Sequence, residues 1–378
     1  MNTGLPARVG LEQRVLPLYR AAFFDSLARA LPGTLSVFAG APAPGEMIPQ
    51  AVELHAARWT RAVNRILGAG RLSFLWQSGW REWIEAVDPD VLILEANPRY
   101  LTNGGLMQWM LARGRPVIGW TLGPARAGKT FSRWMLSYYR QYSALVVYSR
   151  NGAKAFGDLG ISSKKVFITP NAVESGTAER LQGRPGARDE ARAALGLGPS
   201  PVILSVGRLQ PRKRIEYLLR ACARIGNPCQ VLIVGDGPDR ARLERIAADV
   251  FPAARFTGDL RGEALGRCFL AADLFVMPGT GGLALQEAML YGKPVVAAEA
   301  DGSQRDLIRE QENGWLVTPG DGQELLRVLR EALADPRKLS RMGAASRKIV
   351  RETATMEKMV DGFLQAIRSA GQGMEKKP

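Results

Sequence analysis

Short apolar runs bounded by Gly, Pro or charged residues recur along the chain. Those at residues 35–38, 91–94, 117–120, 145–148, 166–168, 202–206, 231–234, 275–277 and 295–297 are rich in Val, Ile and Leu and mostly lack alternation. That is the pattern of strands covered on both faces. Between them apolar residues return at helical spacing, as in 215–225, 240–248, 283–290 and 322–333. Strand alternating with helix predicts an α/β protein with parallel sheets and right-handed crossovers. The pattern breaks over 174–201, where ESGTAERLQGRPGARDE and GLGPSP are polar and rich in Gly and Pro. A linker at 181–200 then separates two α/β halves, 1–180 and 201–354. Two domains suit a chain of 378 residues.

Charge changes the picture next. Lys and Arg number 51 against 36 Asp and Glu, a formal +15, which favours anionic partners: nucleic acid, acidic lipid or phosphorylated substrates. The excess is local. From Arg99 to Lys165 there are eleven basic residues and one acid, Asp158. A second run, Arg58, Arg61, Arg65 and Arg71, lies among Trp59, Val63, Ile66 and Leu67. At helical spacing it predicts a basic face beside an apolar one, either a solvated helix or a surface for anionic lipid. No nucleic-acid-binding motif accompanies the charge.

The single histidine, His55, excludes multi-His metal sites and leaves one residue for any His-dependent mechanism. Cys222, Cys229 and Cys268 form no metal spacing and point to a reducing, cytoplasmic setting. The first residues lack the apolar core of a signal peptide, and no apolar run reaches membrane-spanning length.

Four loops carry candidate chemistry. VLIVGDGPDRARL places a Gly turn between strand and helix, but Arg240 stands where a dinucleotide fingerprint needs its third Gly. Gly123 to Thr130 reads GPARAGKT, a literal P-loop match through Lys129, without a following strand that ends in Asp. SVGRLQPRKR delivers Arg208 and Lys213 to the carboxyl end of a strand, either as a diphosphate clamp or as a basic surface turn. MPGTGGLALQEAMLYGKPVV runs from strand through a Gly-rich turn into a helix, with Glu287 about one turn in, either to meet a ribose diol or as a surface acid.

In this order and spacing, VGRLQPRK, IVGDGP, FTGDL, QEAMLYGKPVV and DGSQRDLIREQENGWLV resemble glycosyltransferase family 4, densely over 200–320. RVLPLYRAAFFDSLA, PDVLILEANPRYLT and VFITPNAVES add a thinner likeness to bacterial members that build polysaccharide and lipopolysaccharide. The resemblance implies the GT-B architecture: two Rossmann-like domains facing an interdomain cleft, the first for acceptor and the second for nucleotide-sugar, with a C-terminal helix over 355–378 packed back on the first. It assigns Arg208 and Lys213 to the diphosphate, Glu287 to the ribose, the amides of Gly282 and Leu283 beside Gly281 and Gly207 to the phosphates, and the Gly258, Asp259, Leu260 turn to the base. Arg20, Arg126 and Lys129 are the acceptor-side candidates. It implies retention of configuration, no metal and no cofactor beyond the nucleotide-sugar. It also implies a lipid-linked or polysaccharide acceptor, and a cytoplasmic protein peripheral to the inner membrane face. Two positions depart from the family. Gly279 stands where the first Glu of its E-x7-E pair would fall, and Leu122 replaces a His beyond Trp120. Alternatives are therefore a weak or silent nucleotide-sugar-binding subunit, a nucleotide-sugar isomerase of the same architecture, and a P-loop NTPase.

Overall fold

The computed structural model of the protein describes residues 4–43, 46, 48–68, 70, 73–124, 129–226 and 228–372, with backbone only at 129–132. The chain divides into two units, Met1–Asn171 with Met356–Pro378, and Ala172–Thr355.

The first unit is built on an eight-stranded sheet: β1 (Arg8–Val15), β2 (Thr34–Gly40), β3 (Arg58–Leu67), β4 (Phe74–Ser78), β5 (Val91–Glu95), β6 (Val117–Thr121), β7 (Ala144–Val147) and β8 (Val166–Ile168). The order is β4-β3-β2-β1-β5-β6-β7-β8, with β3 and β4 antiparallel and every other neighbour parallel. Its helices begin with α1 (Leu18–Ala30), α2 (Trp80–Val87), α3 (Leu101–Leu111), α4 (Lys129–Arg140) and α5 (Arg150–Asp158). Strand order reverses between β1 and β5, and in such sheets ligands bind beyond the carboxyl ends at the reversal.

Two sequence expectations change here. The basic run from Arg58 is strand β3, not a helix. Its apolar residues Trp59, Val63 and Leu67 are an even number of positions apart, so they share one face of a strand. Strand β1 escaped the apolar pattern because the fully buried Glu12 and Gln13 interrupt it.

The second unit holds six parallel strands: β9 (Val202–Val206), β10 (Gln230–Val234), β11 (Ala254–Phe256), β12 (Leu274–Met277), β13 (Val295–Ala298) and β14 (Gly314–Val317). Their order, β11-β10-β9-β12-β13-β14, reverses between β9 and β12. Around them lie α6 (Gly176–Gln182), α7 (Ala187–Ala194), α8 (Ile215–Cys222), α9 (Arg240–Val250), α10 (Gly262–Ala271), α11 (Ala284–Leu290), α12 (Ser303–Leu307), α13 (Gly322–Ala334) and α14 (Pro336–Thr353). The stretch expected as a linker is instead helical and belongs to this unit. Ala178, Leu181 and Ala191, hidden in a polar context, pack into the core with Phe269 and Tyr291. The division between units falls earlier, at Asn171.

The last helix, α15 (Met356–Gln372), returns to the first unit. Phe363 is fully buried there, its ring 4.8 Å from those of both Phe23 and Trp120. These rings join α15 to α1 and β6, an arrangement aromatic edges and faces favour. Phe363→Ala should cost this unit about 3–5 kcal/mol. Tryptophan fluorescence during denaturation checks this, because seven of the eight tryptophans lie in the first unit.

Candidate functional site

The reversal point of the second sheet gathers the loops after β9 and β12. β9 runs into Gly207, whose N–H donates to Val234 at 2.9 Å. Arg208 follows, half-buried, and Leu209 is buried with its N–H on Asp236 at 2.9 Å. The GDGP turn after β10 exists for this packing. Gly235 and Gly237 have φ of 134° and 156°, and a Cβ on them would lie 2.1 Å from the Gly207 carbonyl oxygen and 2.3 Å from that of Leu209. These glycines seat the neighbouring turn, which accounts for them without a dinucleotide.

Lys213 is the centre of the arrangement. Its Nζ donates to the carbonyls of Thr280 at 2.9 Å and Gly281 at 3.0 Å. A Cβ on either Gly207 or Gly282 would lie 3.6 Å from that Nζ, so the ammonium sits between the two glycine turns. Burial, and then the charge of Arg212, pull its pKa down to about 8. Gly279 stands against the same turn. A Cβ there would fall 2.3 Å from the Arg212 carbonyl oxygen and 2.5 Å from the Lys213 carbonyl carbon, while Thr280 N–H donates to Arg212 at 3.0 Å. Backbone therefore occupies the space a side chain at 279 would need.

Leu283 precedes α11, and Glu287 lies in that helix's first turn, half-buried. Its carboxylate meets no donor among the described residues, and burial pushes it up to about 7. The 258–260 turn joins the same edge through Gly258, whose carbonyl accepts from Gly235 at 2.8 Å. Asp259 pairs with Arg261 at 2.5 Å, and Leu260 packs on the core. Gly207, Arg208, Lys213, Gly258, Gly281, Gly282, Leu283 and Glu287 are thus on one sheet edge, as loops at the ends of parallel strands must be.

The acceptor-side candidates belong to the first unit. The Arg20 guanidinium lies 4.3 Å over the Trp120 ring, donates to Tyr148 Oη at 2.7 Å and to Gln13 Oε1, and pairs with no carboxylate among the described residues. Arg126 lies outside the described residues, as do the Lys129 side chain and the centre of the GPARAGKT loop. Leu122 is 56% exposed at the carboxyl end of β6. His55 is exposed before β3, at the opposite, amino end of the sheet.

Sequence reasoning missed an acid pair beside Arg14, one member buried and the other half-buried. Glu12 is fully buried, and its Oε2 accepts the Glu95 N–H at 3.2 Å. Burial, then the charge of Glu95, raise its pKa well above the usual carboxylate range. Glu95 accepts from Tyr100 Oη at 3.2 Å and from Arg14 N–H at 3.1 Å. The interrupted hydrophobicity of β1 was the available signal. The Lys213 carbonyl contacts left none, because backbone atoms have no sequence signature.

Two Rossmann-like sheets of this order define a protein of the GT-B fold. Residues 187–349 match the family described as Glycosyl transferases group 1. The chain is 40% identical over 172 residues to a GDP-mannose-dependent alpha-mannosyltransferase of Mycolicibacterium smegmatis, 44% of this chain and 43% of that protein. It is 30% identical over 240 residues to the lipopolysaccharide core biosynthesis glycosyltransferase LpsE of Rhizobium meliloti, 62% of this chain and 66% of that protein. It spans about half the length of the curated relatives it matches. The crystal structure of Anabaena HepE in complex with UDP superposes with a TM-score of 0.77 at 20% identity, over 96% of this chain and 99% of that one, a likeness of fold.

Gly279→Ala should lower the melting temperature well beyond Gly104→Ala, a position in α3 where a Cβ meets nothing within 4 Å. Glu287 gives a pH signature. A carboxylate raised from 4.5 to about 7 contributes stability that is complete below pH 4.5 and is lost as pH rises toward 7. Glu287→Gln should therefore melt higher than the parent above neutral pH and alongside it in acid, a comparison differential scanning fluorimetry makes directly.

Proposed function

We propose that the protein is a metal-independent, retaining glycosyltransferase of family 4, moving a sugar from a nucleotide diphosphate donor to a lipid-linked or polysaccharide acceptor. The observation that carries this is the Lys213 ammonium between the Gly207 and Gly282 turns at the β9/β12 reversal. Arg208 lies in the first of those turns and Glu287 one turn beyond the second. The named activities of the mannosyltransferase and LpsE relatives support the same reading.

In this mechanism Arg208 and Lys213 neutralise the diphosphate and stabilise the charge that grows on it as the sugar C1–O bond breaks. The acceptor hydroxyl attacks C1 on the face the diphosphate leaves, and its proton passes to the departing phosphate oxygen. The new C1–O bond then keeps the configuration of the old one. Glu287 accepts hydrogen bonds from the ribose diol, the amides of Gly282 and Leu283 approach the phosphates, and the 258–260 turn edges the base. Arg20, whose guanidinium forms no ion pair among the described residues, meets an anionic group of the acceptor, assisted by Arg126 and Lys129. The basic first unit works at an anionic membrane surface on the cytoplasmic side. No helix among the described residues is long and apolar enough to cross a membrane.

A second reading, a nucleotide-sugar-binding subunit without turnover, rests on two observations: backbone fills the place of the first Glu at Gly279, and an exposed Leu122 replaces the His. Thermal-shift titration with UDP-, GDP- and ADP-sugars, without added metal, tests the shared nucleotide site. Lys213→Ala should weaken the binding nucleotide at least thirtyfold, about 2 kcal/mol or more for an uncompensated charge. Affinity in the parent should fall as pH rises through about 8, where Lys213 loses its proton. Absence of a shift with every nucleotide removes both readings, and slow donor hydrolysis separates enzyme from binder.

A further inference from the structure

From Val63 onward β3 leaves β2 and pairs with β4 alone, in the register Val63 with Ser78, Arg65 with Trp76 and Leu67 with Phe74. The resulting ribbon has two unlike faces. One carries Ala62, Leu75 and Gln77, all buried, with the half-buried Asn64 and, toward the end of the ribbon, Ile66, which is 53% exposed; Ala62 is in the core beside Trp83 of α2. The other carries Trp59, Arg61, Val63, Arg65 and Leu67 from β3, and Phe74 and Trp76 from β4, by strict alternation. On this face Val63 is 60% exposed, Leu67 49%, Phe74 38% and Trp76 36%. Arg61 and Arg65 are exposed and form no ion pair among the described residues, and Arg61 rests 4.9 Å from the Trp59 ring centroid. No Asp or Glu occurs on this face of either strand.

We infer that this ribbon face docks the first unit onto an anionic lipid bilayer, with Arg61 and Arg65 on headgroup phosphates and Val63, Leu67, Phe74 and Trp76 in the interfacial layer. The inference rests on the proposed work of the first unit at a membrane and names the element responsible. Charge complementarity selects the occupant. A second copy of the chain would bring four guanidinium groups together with no carboxylate between them, whereas a headgroup layer supplies the missing anions. Aromatic and aliphatic side chains interleaved with arginine suit the boundary between headgroup and acyl chain. The carboxyl end of β3 leads into the ribbon, so the lipid-facing element extends from the same sheet edge as Arg20 and Leu122.

Vesicle flotation tests the assignment, comparing equal parts phosphatidylglycerol and phosphatidylcholine with phosphatidylcholine alone. The parent should float with the anionic vesicles only and detach as salt rises. Arg61→Gln with Arg65→Gln should weaken binding on the order of thirtyfold, a factor of about five for each guanidinium at such a surface. Leu67→Ser with Phe74→Ser should weaken it separately, while Arg113→Gln, elsewhere in the basic half, should leave it unchanged. An unaltered melting temperature and nucleotide shift verify that the variants are folded. Flotation of the ribbon variants equal to the parent overturns the assignment and leaves membrane binding to another surface. No flotation of the parent overturns the membrane reading as well, with the nucleotide shift still reporting the donor site by itself. Sedimentation showing a parent dimer that the ribbon substitutions dissociate replaces the bilayer with a second copy.

Discussion

A single buried ammonium organises the carboxyl edge of the second sheet. Lys213 Nζ holds two carbonyls of the 280–281 turn, and so ties the loop that follows β9 to the loop that follows β12. Burying a charge is unfavourable unless dipoles or opposite charges receive it. Two carbonyls receive only part of this one, which is why the lysine gives up its proton near pH 8 instead of its ordinary range. An incompletely compensated cation between glycine turns is suited to an anion with several oxygens. The packing around it also explains why the position before Thr280 is glycine: the 212–213 backbone stands where a larger side chain would begin.

The two units handle buried acid in different ways. In the first, Glu12 and Glu95 share the reversal between β1 and β5, and burial, then the charge of Glu95, raise the Glu12 carboxyl well above the usual carboxylate range. In the second, Glu287 sits beside the Gly-rich turn with no donor from the described residues, and burial raises its pKa to about 7. A carboxyl group held this way loses stability when it ionises, a cost that hydroxyl donors on a bound molecule would relieve. Glu12 Oε2 takes the Glu95 N–H while its Oε1 is buried without a partner among the described residues, and Glu287 meets no donor among them.

Position relative to the sheet also separates the basic residues. Arg20 lies at the carboxyl edge of the first sheet, stacked on Trp120, and Arg61 and Arg65 lie on the open face of a ribbon that continues from that edge. His55 lies at the other end. The charge excess is therefore made of groups with different surroundings, some held against aromatic rings and some open to solvent.

The sequence by itself determined the α/β class, most strands, the Gly-rich turns and the residues at the β9/β12 edge, because buried parallel strands are continuous apolar runs and glycine marks close backbone approach. It misassigned what depends on neighbours. Arg58–Leu67 has apolar residues at a spacing that fits either a helix or one face of a strand, and pairing with β2 and β4 decided for the strand. The 174–201 stretch is polar enough to look like a connection, yet Ala178, Leu181 and Ala191 find a hydrophobic surface made by α10. Strand β1 looks too polar because its two polar residues are buried, Glu12 Oε2 taking the distant Glu95 N–H and Gln13 Oε1 the nearby Arg20 guanidinium. At the candidate site, side-chain identities were legible, but the carbonyls that hold Lys213 and the backbone that crowds Gly279 were not. Every residue carries the same backbone atoms, and only the tertiary structure decides which of them meet.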